Sequence, residues 1–386
     1  MLKFLPLKPE AFGLDLSDLS LKITKLKKKG KFLHLDSWGE IEIKPGIIED
    51  GEIKNEAALT GIIKEGLSKV KGKKIKIREV IASLPEKKAF LQVIQMPKMK
   101  EEELKKAVPF EAENYIPLPI EKVYLDFQIV PPVYDHLDHF DILIAAIPKE
   151  TTYPYVSCLK KAGLLPQALE IESQSISRAL IKNGVSPFPI AIIDFGRSRA
   201  SFIIFSGYSL RFTSSIPISS QKLTEAISQT LKVDLTEAGK LKLKYGLKMP
   251  EKNAKYKGIS EAMIPVLTDL ARQIKKYLHY YQTHASHEHL EPGSSGRASR
   301  PIPETSKKKI EKILLCGRGA NLKGLADFLS SELKISVKLG NPWINILSEP
   351  LKEVPELSFE ESLGYTTALG LTLRGVKGEY DKFTTL

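Results

Sequence analysis

Residues 12–23 have the sequence FGLDLSDLSLKI and residues 191–202 have the sequence AIIDFGRSRASF, about half the chain apart. In each copy an apolar strand runs into an Asp, crosses a short polar turn and continues as a second strand. A third strand is predicted after each copy, at residues 32–35 and 210–213. The two copies therefore predict two antiparallel meanders in a duplicated, two-lobed α/β fold.

The Asp of each copy, Asp15 or Asp194, is the candidate ligand-binding group. Two facing hairpins that each offer backbone N–H groups and one carboxylate can hold the phosphates of a nucleotide and its Mg²⁺ between two lobes. A competing interpretation is structural, because an Asp between a buried strand and a Gly or Ser is also a common turn without a ligand. The repetition of the pattern favours a nucleotide site.

A third candidate turn, GRGA at residues 317–320, lies between a predicted strand at 312–316 and a predicted helix at 322–333. A strand, a glycine turn and a helix in this order present backbone N–H groups and a helix N-terminus to a nucleotide. Taken alone this pattern is not specific, because Gly-x-Gly turns are frequent.

Composition indicates a cytoplasmic globular protein. The chain has 386 residues, of which 42% are hydrophobic and 27% charged, enough for two domains or one two-lobed unit. Cys158 and Cys316 both lie in apolar stretches, which excludes a disulfide scaffold and fits a reducing compartment. No apolar run approaches the ~20 residues of a membrane-spanning helix. The first nine residues are too short and too rich in proline for a signal peptide.

The formal net charge of +12 raises the question of a nucleic-acid or membrane partner. The lysine clusters at residues 25–31 and 69–76 lie between strands or before one, where solvated turns are expected. No RNA-binding or helix-turn-helix motif accompanies them, so no nucleic-acid partner is predicted. Attraction to an anionic membrane surface stays open. Because residues 374–386 do not form an amphipathic helix, any membrane contact is predicted to be indirect.

Hydrophobic periodicity and turn residues predict the remaining elements. Helices are predicted at 55–70, 101–115 with an interruption at Pro109, 153–162, 173–183, 221–231, 236–245 and 259–281. Further strands are predicted at 80–84, 90–94, 123–130 and 140–147.

This order of elements divides the chain into three units. Residues 1–79 and 150–186 are assigned to a first lobe, residues 80–149 to an inserted subdomain and residues 187–386 to a second lobe, with a boundary at Pro187–Pro189. Residues 284–309 are polar and rich in Gly, Ser and Pro, which predicts a flexible loop. The histidines of this loop, at 284, 287 and 289, have no Cys or carboxylate support for a metal, so a solvated loop is favoured.

With three such turns in this order, the chain resembles the actin-like ATPase superfamily. Within it, the chain looks like the PilM family of type IV pilus assembly proteins, and more distantly like FtsA. The matching turn residues are Gly13, Asp15, Ser20 and Lys22, then Asp194, Phe195 and Gly196, then Gly317, Gly319 and Ala320. Longer matching strings are MPKM at 96–99, FEAENYIP at 110–117, VYLDF at 123–127, AAIPK at 145–149, NP at 341–342 and SLGYTTALGLTLR at 362–374.

The resemblance implies an actin-like ATPase fold and a site for ATP and Mg²⁺. Asp15 and Asp194 would hold Mg²⁺ through waters, Ser17, Ser20 and the Gly196 and Ser198 backbones would hold the phosphates, and the glycines of turn 317–320 would admit the adenosine. The predicted nucleotide-binding set is Gly13, Asp15, Ser17, Asp18, Ser20, Lys22, Asp194, Gly196, Arg197, Ser198, Lys242, Gly317, Arg318, Gly319 and Ala320.

Several positions depart from the family pattern. Ser17 and Asp18 replace a Gly and a small residue, Arg197 and Arg199 replace small residues, Arg318 replaces a Gly, and Gly239 replaces a Glu that contacts adenosine in relatives. An arginine here can clamp a phosphate, or it can fill the cleft and pair with Asp18. Together these changes indicate a weakened or lost nucleotide site, so ATP binding is expected with weak or no hydrolysis, and no catalytic residue is assigned. The alternative is an active phosphotransferase or ATPase of the same superfamily.

The inserted subdomain, residues 80–149, contributes none of the three turns, and such an addition more often binds a partner than performs chemistry. The resemblance implies that the partner is a PilN-like bitopic inner-membrane protein, bound through its short cytoplasmic N-terminal segment. The expected function is therefore that of a cytoplasmic scaffold of type IV pilus or related secretion assembly. The scaffold would be recruited to the inner face of the membrane by this partner, and other pilus-machine components are possible partners.

Overall fold

The computed structural model of the chain describes residues 10–30, 32–131, 138–248, 257–284, 309–347 and 354–377. The strands are β1 (Phe12–Leu16), β2 (Ser20–Lys29), β3 (Phe32–Glu42), β4 (Ile48–Glu49), β5 (Glu52–Ile53), β6 (Lys71–Gly72), β7 (Glu79–Leu84), β8 (Phe90–Pro97), β9 (Val123–Val130), β10 (His139–Pro148), β11 (Leu165–Ile171), β12 (Ser186–Phe195), β13 (Ala200–Gly207), β14 (Ser209–Ile216), β15 (Lys312–Cys316) and β16 (Ser336–Leu339). The helices are α1 (Glu56–Ser68), α2 (Glu101–Ala112), α3 (Lys149–Lys161), α4 (Glu172–Leu180), α5 (Ser220–Leu231), α6 (Leu235–Tyr245), α7 (Lys257–His284), α8 (Leu325–Leu333), α9 (Phe359–Ser362) and α10 (Thr366–Lys377).

Two mixed sheets repeat one topology. The first sheet has the order β11-β7-β1-β2-β3-β6 and the second sheet has the order β14-β13-β12-β15-β16. In each sheet, three consecutive strands form an antiparallel meander. Two further strands, which run parallel to the first strand of the meander, extend the sheet beyond that first strand. Asp15 in β1 and Asp194 in β12 each occupy the position before the last residue of their strand. The predicted pair of meanders is confirmed.

Helices cover both faces of the two sheets. Leu59 of α1 and Tyr155 of α3 pack against one face of the first sheet, and α10 packs against the other. In the second sheet, α5, α7 and α8 bury one face, while Ile176 and Leu180 of α4 pack on the other face with Ile192. Among the described residues, no helix combines the length and the apolar character that a bilayer crossing requires.

The inserted subdomain is an antiparallel sheet with the order β8-β10-β9, which we call the inserted sheet. On one face Leu104 and Val108 of α2 pack against this sheet, and on the other face Leu143 packs in a cluster with Phe205 of the second sheet. An ion pair of 3.0 Å between Arg211 and Asp141 links the two sheets at this contact. The insertion is therefore attached to the second sheet as well as to the first.

The predicted interruption at Pro109 needs correction, whereas the predicted boundary at Pro187–Pro189 stays a prediction. Helix α2 continues through Pro109 to Ala112, because the missing N–H removes one hydrogen bond in the last turns while the apolar face stays packed. Pro187 and Pro189 lie inside β12, at a register irregularity between Ser186 and Ile190 where the ladder with β13 is already interrupted. Strands β11 and β16 and the short strands β4, β5 and β6 were not predicted from the sequence.

The C-terminal helix does not follow the predicted lobes. Helix α10, which the sequence assigns to the second lobe, packs against β1, β2 and β7 of the first sheet and against α4. The Gly13 N–H donates to the Thr372 hydroxyl at 3.0 Å in this contact. The division of the chain into three units otherwise stays a prediction. Of the predicted loop, residues 285–308 lie outside the described residues, and His284 is the last residue of α7.

Replacing Gly370 by Ala should destabilise the fold, because a Cβ at this position of α10 would overlap the Ser175 backbone carbonyl of α4. We expect a loss of about 2 kcal/mol in the free energy of unfolding, the usual size for overpacking of a close contact. Urea unfolding followed by tryptophan fluorescence measures this change.

The matched control is Gly61→Ala in the exposed middle of α1, where a Cβ would meet nothing within 4 Å. This variant should gain about 1 kcal/mol from helix propensity alone. A Gly370→Ala protein that is as stable as the parent would show that α10 and α4 do not pack this closely.

Candidate functional site

The first two predicted turns face one another across a cavity of about 340 Å³ between the two sheets, which we call the cleft. Its lining contains twelve of the predicted residues: Asp15, Ser17, Asp18, Ser20, Lys22, Asp194, Gly196, Arg197, Ser198, Lys242, Gly317 and Arg318. The duplicated hairpins therefore converge on a single space rather than on separate surfaces.

Three predicted residues do not line the cleft, and each has a packing role instead. Gly13 lies against α10, where a Cβ would overlap the Ala368 carbonyl and the Thr372 hydroxyl. Gly319 lies against Phe195, whose backbone oxygen and ring a Cβ would crowd, and Ala320 is buried.

The tip of the first hairpin is a connected set of donors. The Ser17 N–H donates to the Ser20 carbonyl at 2.9 Å, which closes the turn. The hydroxyls of Ser17 and Ser20 are 2.9 Å apart, and the Lys22 ammonium donates to the Ser20 hydroxyl at 2.9 Å. Two hydroxyls and an ammonium group gathered at one turn are suited to an anion such as a phosphate.

The two aspartates line the cleft, Asp15 as a buried residue and Asp194 as a half-buried one. The carboxylate of Asp15 accepts a hydrogen bond from Ser83 at 3.0 Å and lies 3.9 Å from the Lys22 ammonium. Burial raises the pKa of Asp15, although Lys22 opposes the shift. Burial and the neighbouring charge of Asp15 raise the pKa of Asp194 to about 6. Two carboxylates in one cavity, one of which raises the pKa of the other, favour a cation between them.

The donor set fits Mg²⁺ that is held jointly with phosphates and waters. Within the part of the chain that the structure describes, no group of three or more His, Cys, Asp or Glu side chains forms a metal site by itself. Mg²⁺ commonly binds through one or two carboxylates, several waters and substrate phosphates. Asp15 and Asp194 would supply these carboxylates, so the residues present agree with a nucleotide-dependent ion.

Gly317 is required by the geometry of the third turn. Its φ is 82°, and a Cβ there would overlap the Asp194 carboxylate. Its N–H donates to the Leu363 carbonyl at 2.8 Å. A side chain at this position would therefore displace Asp194 from the cleft.

Lys242 lines the cleft, but its ammonium group is engaged with the protein. It donates to the Ser220 carbonyl at 2.7 Å, the Ser220 hydroxyl at 2.9 Å and the Thr224 hydroxyl at 2.7 Å, which joins α6 to α5. Burial, and secondarily Arg197, lowers the pKa of Lys242 to about 8. Beside it, a Cβ on Gly239 would meet only the Thr224 methyl group, at 3.9 Å, so this face of α6 leaves space towards the cleft.

Arginines of the second-lobe turns pair with carboxylates of the first meander, so ion pairs bridge the cleft. The pairs are Arg199–Asp18 at 2.6 Å, Arg197–Glu42 at 2.7 Å and Arg318–Glu40 at 2.5 Å. Only the first is well shielded, with side chains that are 15% and 14% exposed. Of the two roles left open for the arginines, the structure shows pairing with Asp18 for Arg199, whereas Arg197 pairs with Glu42.

Glu172, the first residue of α4, is a cleft residue that the sequence did not indicate. The carboxyl of this half-buried residue accepts a hydrogen bond from the Glu86 N–H at 3.2 Å. Burial, and then the charge of Asp15, raises the pKa of Glu172 to about 8 although Arg199 opposes the shift. An acidic residue directly after a strand was the available signal, but strand β11 had not been recognised.

A second, larger cavity of about 700 Å³ lies beside the inserted sheet, and we call it the side cavity. Its walls come from β9 and β10 of the inserted sheet, from β11 and α4, from β13 and β14, and from residues 344–347. Arg178 and Arg374 line it and pair with the buried Glu170 at 2.6 and 2.9 Å. Burial raises the pKa of Asp126 in the same wall to about 6.

Comparison with known families agrees with this architecture. The sequence profile of the family described as type IV pilus assembly protein PilM matches residues 13–292 and 302–376. A solved structure described as a PilM-PilN type IV pilus biogenesis complex is 26% identical and superposes with a TM-score of 0.76, covering 96% of this chain and 99% of that chain.

More distant solved structures share the fold. MreB5 of Spiroplasma citri bound to ADP is 12% identical with a TM-score of 0.52, covering 93% of this chain and 94% of that one. The ethanolamine utilization protein EutJ of Carboxydothermus hydrogenoformans is 13% identical with a TM-score of 0.51, covering 96% and 90%. The expected actin-like ATPase fold is confirmed.

Part of the chain is also similar in sequence to the cell division protein FtsA of Helicobacter pylori (strain ATCC 700392 / 26695). The two proteins are 29% identical over 86 residues, which are 22% of this chain and 18% of FtsA. This match therefore spans less than a fifth of the FtsA sequence.

Glu172→Gln should flatten the pH dependence of stability. A carboxyl with a pKa of about 8 when folded, against about 4.3 when unfolded, takes up a proton on folding, so stability falls as the pH rises from 5 to 8. A neutral amide avoids this loss and still accepts from the Glu86 N–H. Relative to the parent, the variant should gain roughly 2–4 kcal/mol between pH 5 and 8.

Urea unfolding at several pH values, with EDTA and without nucleotide, measures this difference. Glu237→Gln, which changes an exposed carboxyl on α6, serves as the control and should retain the parent's pH profile. Parallel profiles for the parent and Glu172→Gln would mean that Glu172 is ionised throughout this range.

Proposed function

The chain belongs to the family of type IV pilus assembly protein PilM, and from this premise we propose that it is a cytoplasmic scaffold that binds ATP and a PilN-like membrane protein. ATP with Mg²⁺ would occupy the cleft. The cytoplasmic N-terminal segment of the partner would occupy the side cavity. The observation that carries the nucleotide part is the convergence of both aspartate turns on one cavity.

The residues of the cleft divide between metal, phosphates and base. Asp15 and Asp194 would hold Mg²⁺ through water, and the ion would offset the charge of the phosphates. The hydroxyls of Ser17 and Ser20 and the ammonium of Lys22 would bind phosphate oxygens. The space beside Gly239 would admit the adenosine, with Lys242 holding α6 against α5.

The same geometry supports weak hydrolysis. Glu172 is a half-buried cleft carboxyl that is suited to accept a proton from an attacking water, but a pKa of about 8 leaves it mostly protonated at pH 7. Asp18 adds a carboxylate that repels phosphates, and its charge is offset by Arg199. Glu172 is also the residue on which the alternative function, that of an active ATPase, would depend. A Mg-ATP turnover that Glu172→Gln abolishes would favour that alternative.

Mg-ATP should raise the melting temperature of the parent and leave the double variant Asp15→Ala plus Asp194→Ala unshifted. At a ligand concentration 100 times the Kd, binding stabilises the folded state by about 2.7 kcal/mol. The double variant removes both carboxylates that would hold the ion. Differential scanning fluorimetry with and without Mg-ATP measures the shift.

Asp36→Ala is the matched control, since Asp36 is a buried carboxylate paired with Lys25 and Lys73 on the first sheet, away from the cleft. This variant should melt at a lower temperature but keep the shift caused by Mg-ATP. A parent without any shift would contradict ATP binding.

The side cavity has the size and chemistry of a peptide site. Its volume of about 700 Å³ lies in the range of pockets that enclose a ligand. Apolar residues such as Leu125 and Leu210 alternate in its walls with Asp126 and Asn345. Strand β9 is at the edge of the inserted sheet, so an extended segment can lie beside it and use backbone hydrogen bonds. The solved structure described as a PilM-PilN complex supports a PilN-like protein as the partner.

Binding at this cavity would also account for recruitment to the membrane. A PilN-like partner is anchored in the inner membrane, so a scaffold that holds its cytoplasmic segment needs no membrane helix of its own. Contact with the membrane would then be indirect, at its cytoplasmic face.

Ala145→Phe should block the partner, because Ala145 of β10 lines the side cavity and a ring there would fill part of it. We expect at least a tenfold rise in Kd, or about 1.4 kcal/mol, for a fluorescein-labelled peptide of the N-terminal segment of the organism's PilN-like protein. Fluorescence anisotropy measures this binding.

Phe110→Ala is the control, since Phe110 of α2 is 74% exposed and does not line the side cavity. It should bind the peptide as the parent does. Equal affinities of the parent and Ala145→Phe would place the partner elsewhere on the surface.

A further inference from the structure

Arg199 lies where the two hairpins meet. It is the last residue of the turn 196–199, which the Gly196 N–H closes by donating to the Arg199 carbonyl at 2.9 Å. Its Nη2 donates to Asp18 Oδ2 at 2.6 Å, and Asp18 Oδ1 accepts from the Gly51 N–H at 3.0 Å. The guanidinium is thus held from the first lobe while its backbone belongs to the second.

The other terminal nitrogen of the Arg199 guanidinium, Nη1, differs from Nη2 in its hydrogen bonding. Nη1 is buried and has no hydrogen-bond partner among the described residues. A buried charged donor without an acceptor is costly, so such atoms are rare unless a ligand satisfies them. Arg199 belongs to the lining of the cleft, together with Ser17, Ser20 and Lys22.

The charges around Arg199 leave capacity for an anion. Asp18 occupies one side of the guanidinium, and Glu172 is the other cleft carboxyl close enough to influence Arg199. The hydroxyls of Ser17 and Ser20 add neutral donors and Lys22 adds a positive charge. A guanidinium pre-oriented by one carboxylate is well placed to give its remaining donors to a phosphoryl oxygen.

We propose that Arg199 binds a phosphoryl group of the nucleotide through Nη1 while Nη2 stays on Asp18. This proposal rests on ATP binding in the cleft, as proposed above, and assigns the phosphate specificity to a residue outside the predicted set. Because Arg199 and Asp18 come from opposite hairpins, the same contact links phosphate binding to the closed arrangement of the two lobes. Asp18 therefore positions Arg199 and at the same time competes with the phosphate for its charge.

Two variants separate this role from a structural one, because they predict effects of opposite sign. Arg199→Met should weaken Mg-ATP binding about 10- to 100-fold, as expected for the loss of a charged hydrogen bond, and leave adenosine binding within twofold. Asp18→Asn keeps the acceptor for the Gly51 N–H but removes the competing charge, so it should tighten Mg-ATP binding several-fold. An ion pair that merely held the lobes together would give a loss of the same sign in both variants.

The matched control is Arg211→Met, which removes a comparably shielded arginine from an ion pair, Arg211–Asp141, outside the cleft. Its affinities for Mg-ATP and adenosine should equal those of the parent. Should Arg199→Met not fold, Arg199→Lys replaces it. A single ammonium cannot hold Asp18 and a phosphate in the same forked geometry, so Mg-ATP should bind about tenfold more weakly.

Isothermal titration calorimetry with Mg-ATP and adenosine gives the affinities, and thermal unfolding verifies that each variant is folded. Unchanged Mg-ATP affinity in Arg199→Met, or an equal loss for adenosine, would overturn the role of Arg199 while ATP binding stands. A parent that binds neither ligand would overturn both the role and the proposed nucleotide site, whereas the peptide titration would still test the scaffold function.

Discussion

The electrostatic repulsion between Asp15 and Asp194 is the constraint on which the cleft depends. Asp15 is buried and Asp194 half-buried, and desolvation together with the charge of Asp15 raises the pKa of Asp194 to about 6. Burial of like charges is tolerated where partners compensate, and here Lys22 and Ser83 stabilise one aspartate only in part. These polar groups occupy a position where apolar side chains could have packed, so the fold lacks the stabilisation that such packing would give. A local loss of stability of this kind is typical of a functional site.

The surroundings show how the fold keeps these groups in place. Gly317 has no side chain and so allows β15 to end against Asp194, and Gly13 allows α10 to lie on β1. The ion pairs of Arg199, Arg197 and Arg318 then connect the two meanders at their tips. Exposed ion pairs contribute little to stability in water. Among the three, the shielded Arg199–Asp18 pair therefore contributes most to holding the two lobes together.

Local sequence signals predicted the meanders, because strand, aspartate and turn follow one another within a dozen residues. They did not predict β11, whose sequence LPQALEI mixes proline and polar residues with few buried positions, and Glu172 was missed with it. They assigned α10 to the second lobe, since packing on β1 across more than 350 residues leaves no local trace. The engagement of Lys242 with Ser220 and Thr224 was equally invisible, because residue type alone does not show which acceptors a lysine meets.

The junction of β11 and α4 gives the two cavities a common wall. Glu170, at the end of β11, is buried between Arg178 and Arg374 at the side cavity, and these arginines hold its pKa below the usual value against the effect of burial. Glu172, two residues later, lies in the cleft. A shift of α4 relative to β11 would therefore alter both sites at once. Because α4 also packs on α10 and on the second sheet, such a shift has to involve both lobes, which makes this junction a direct physical connection between the cleft and the side cavity.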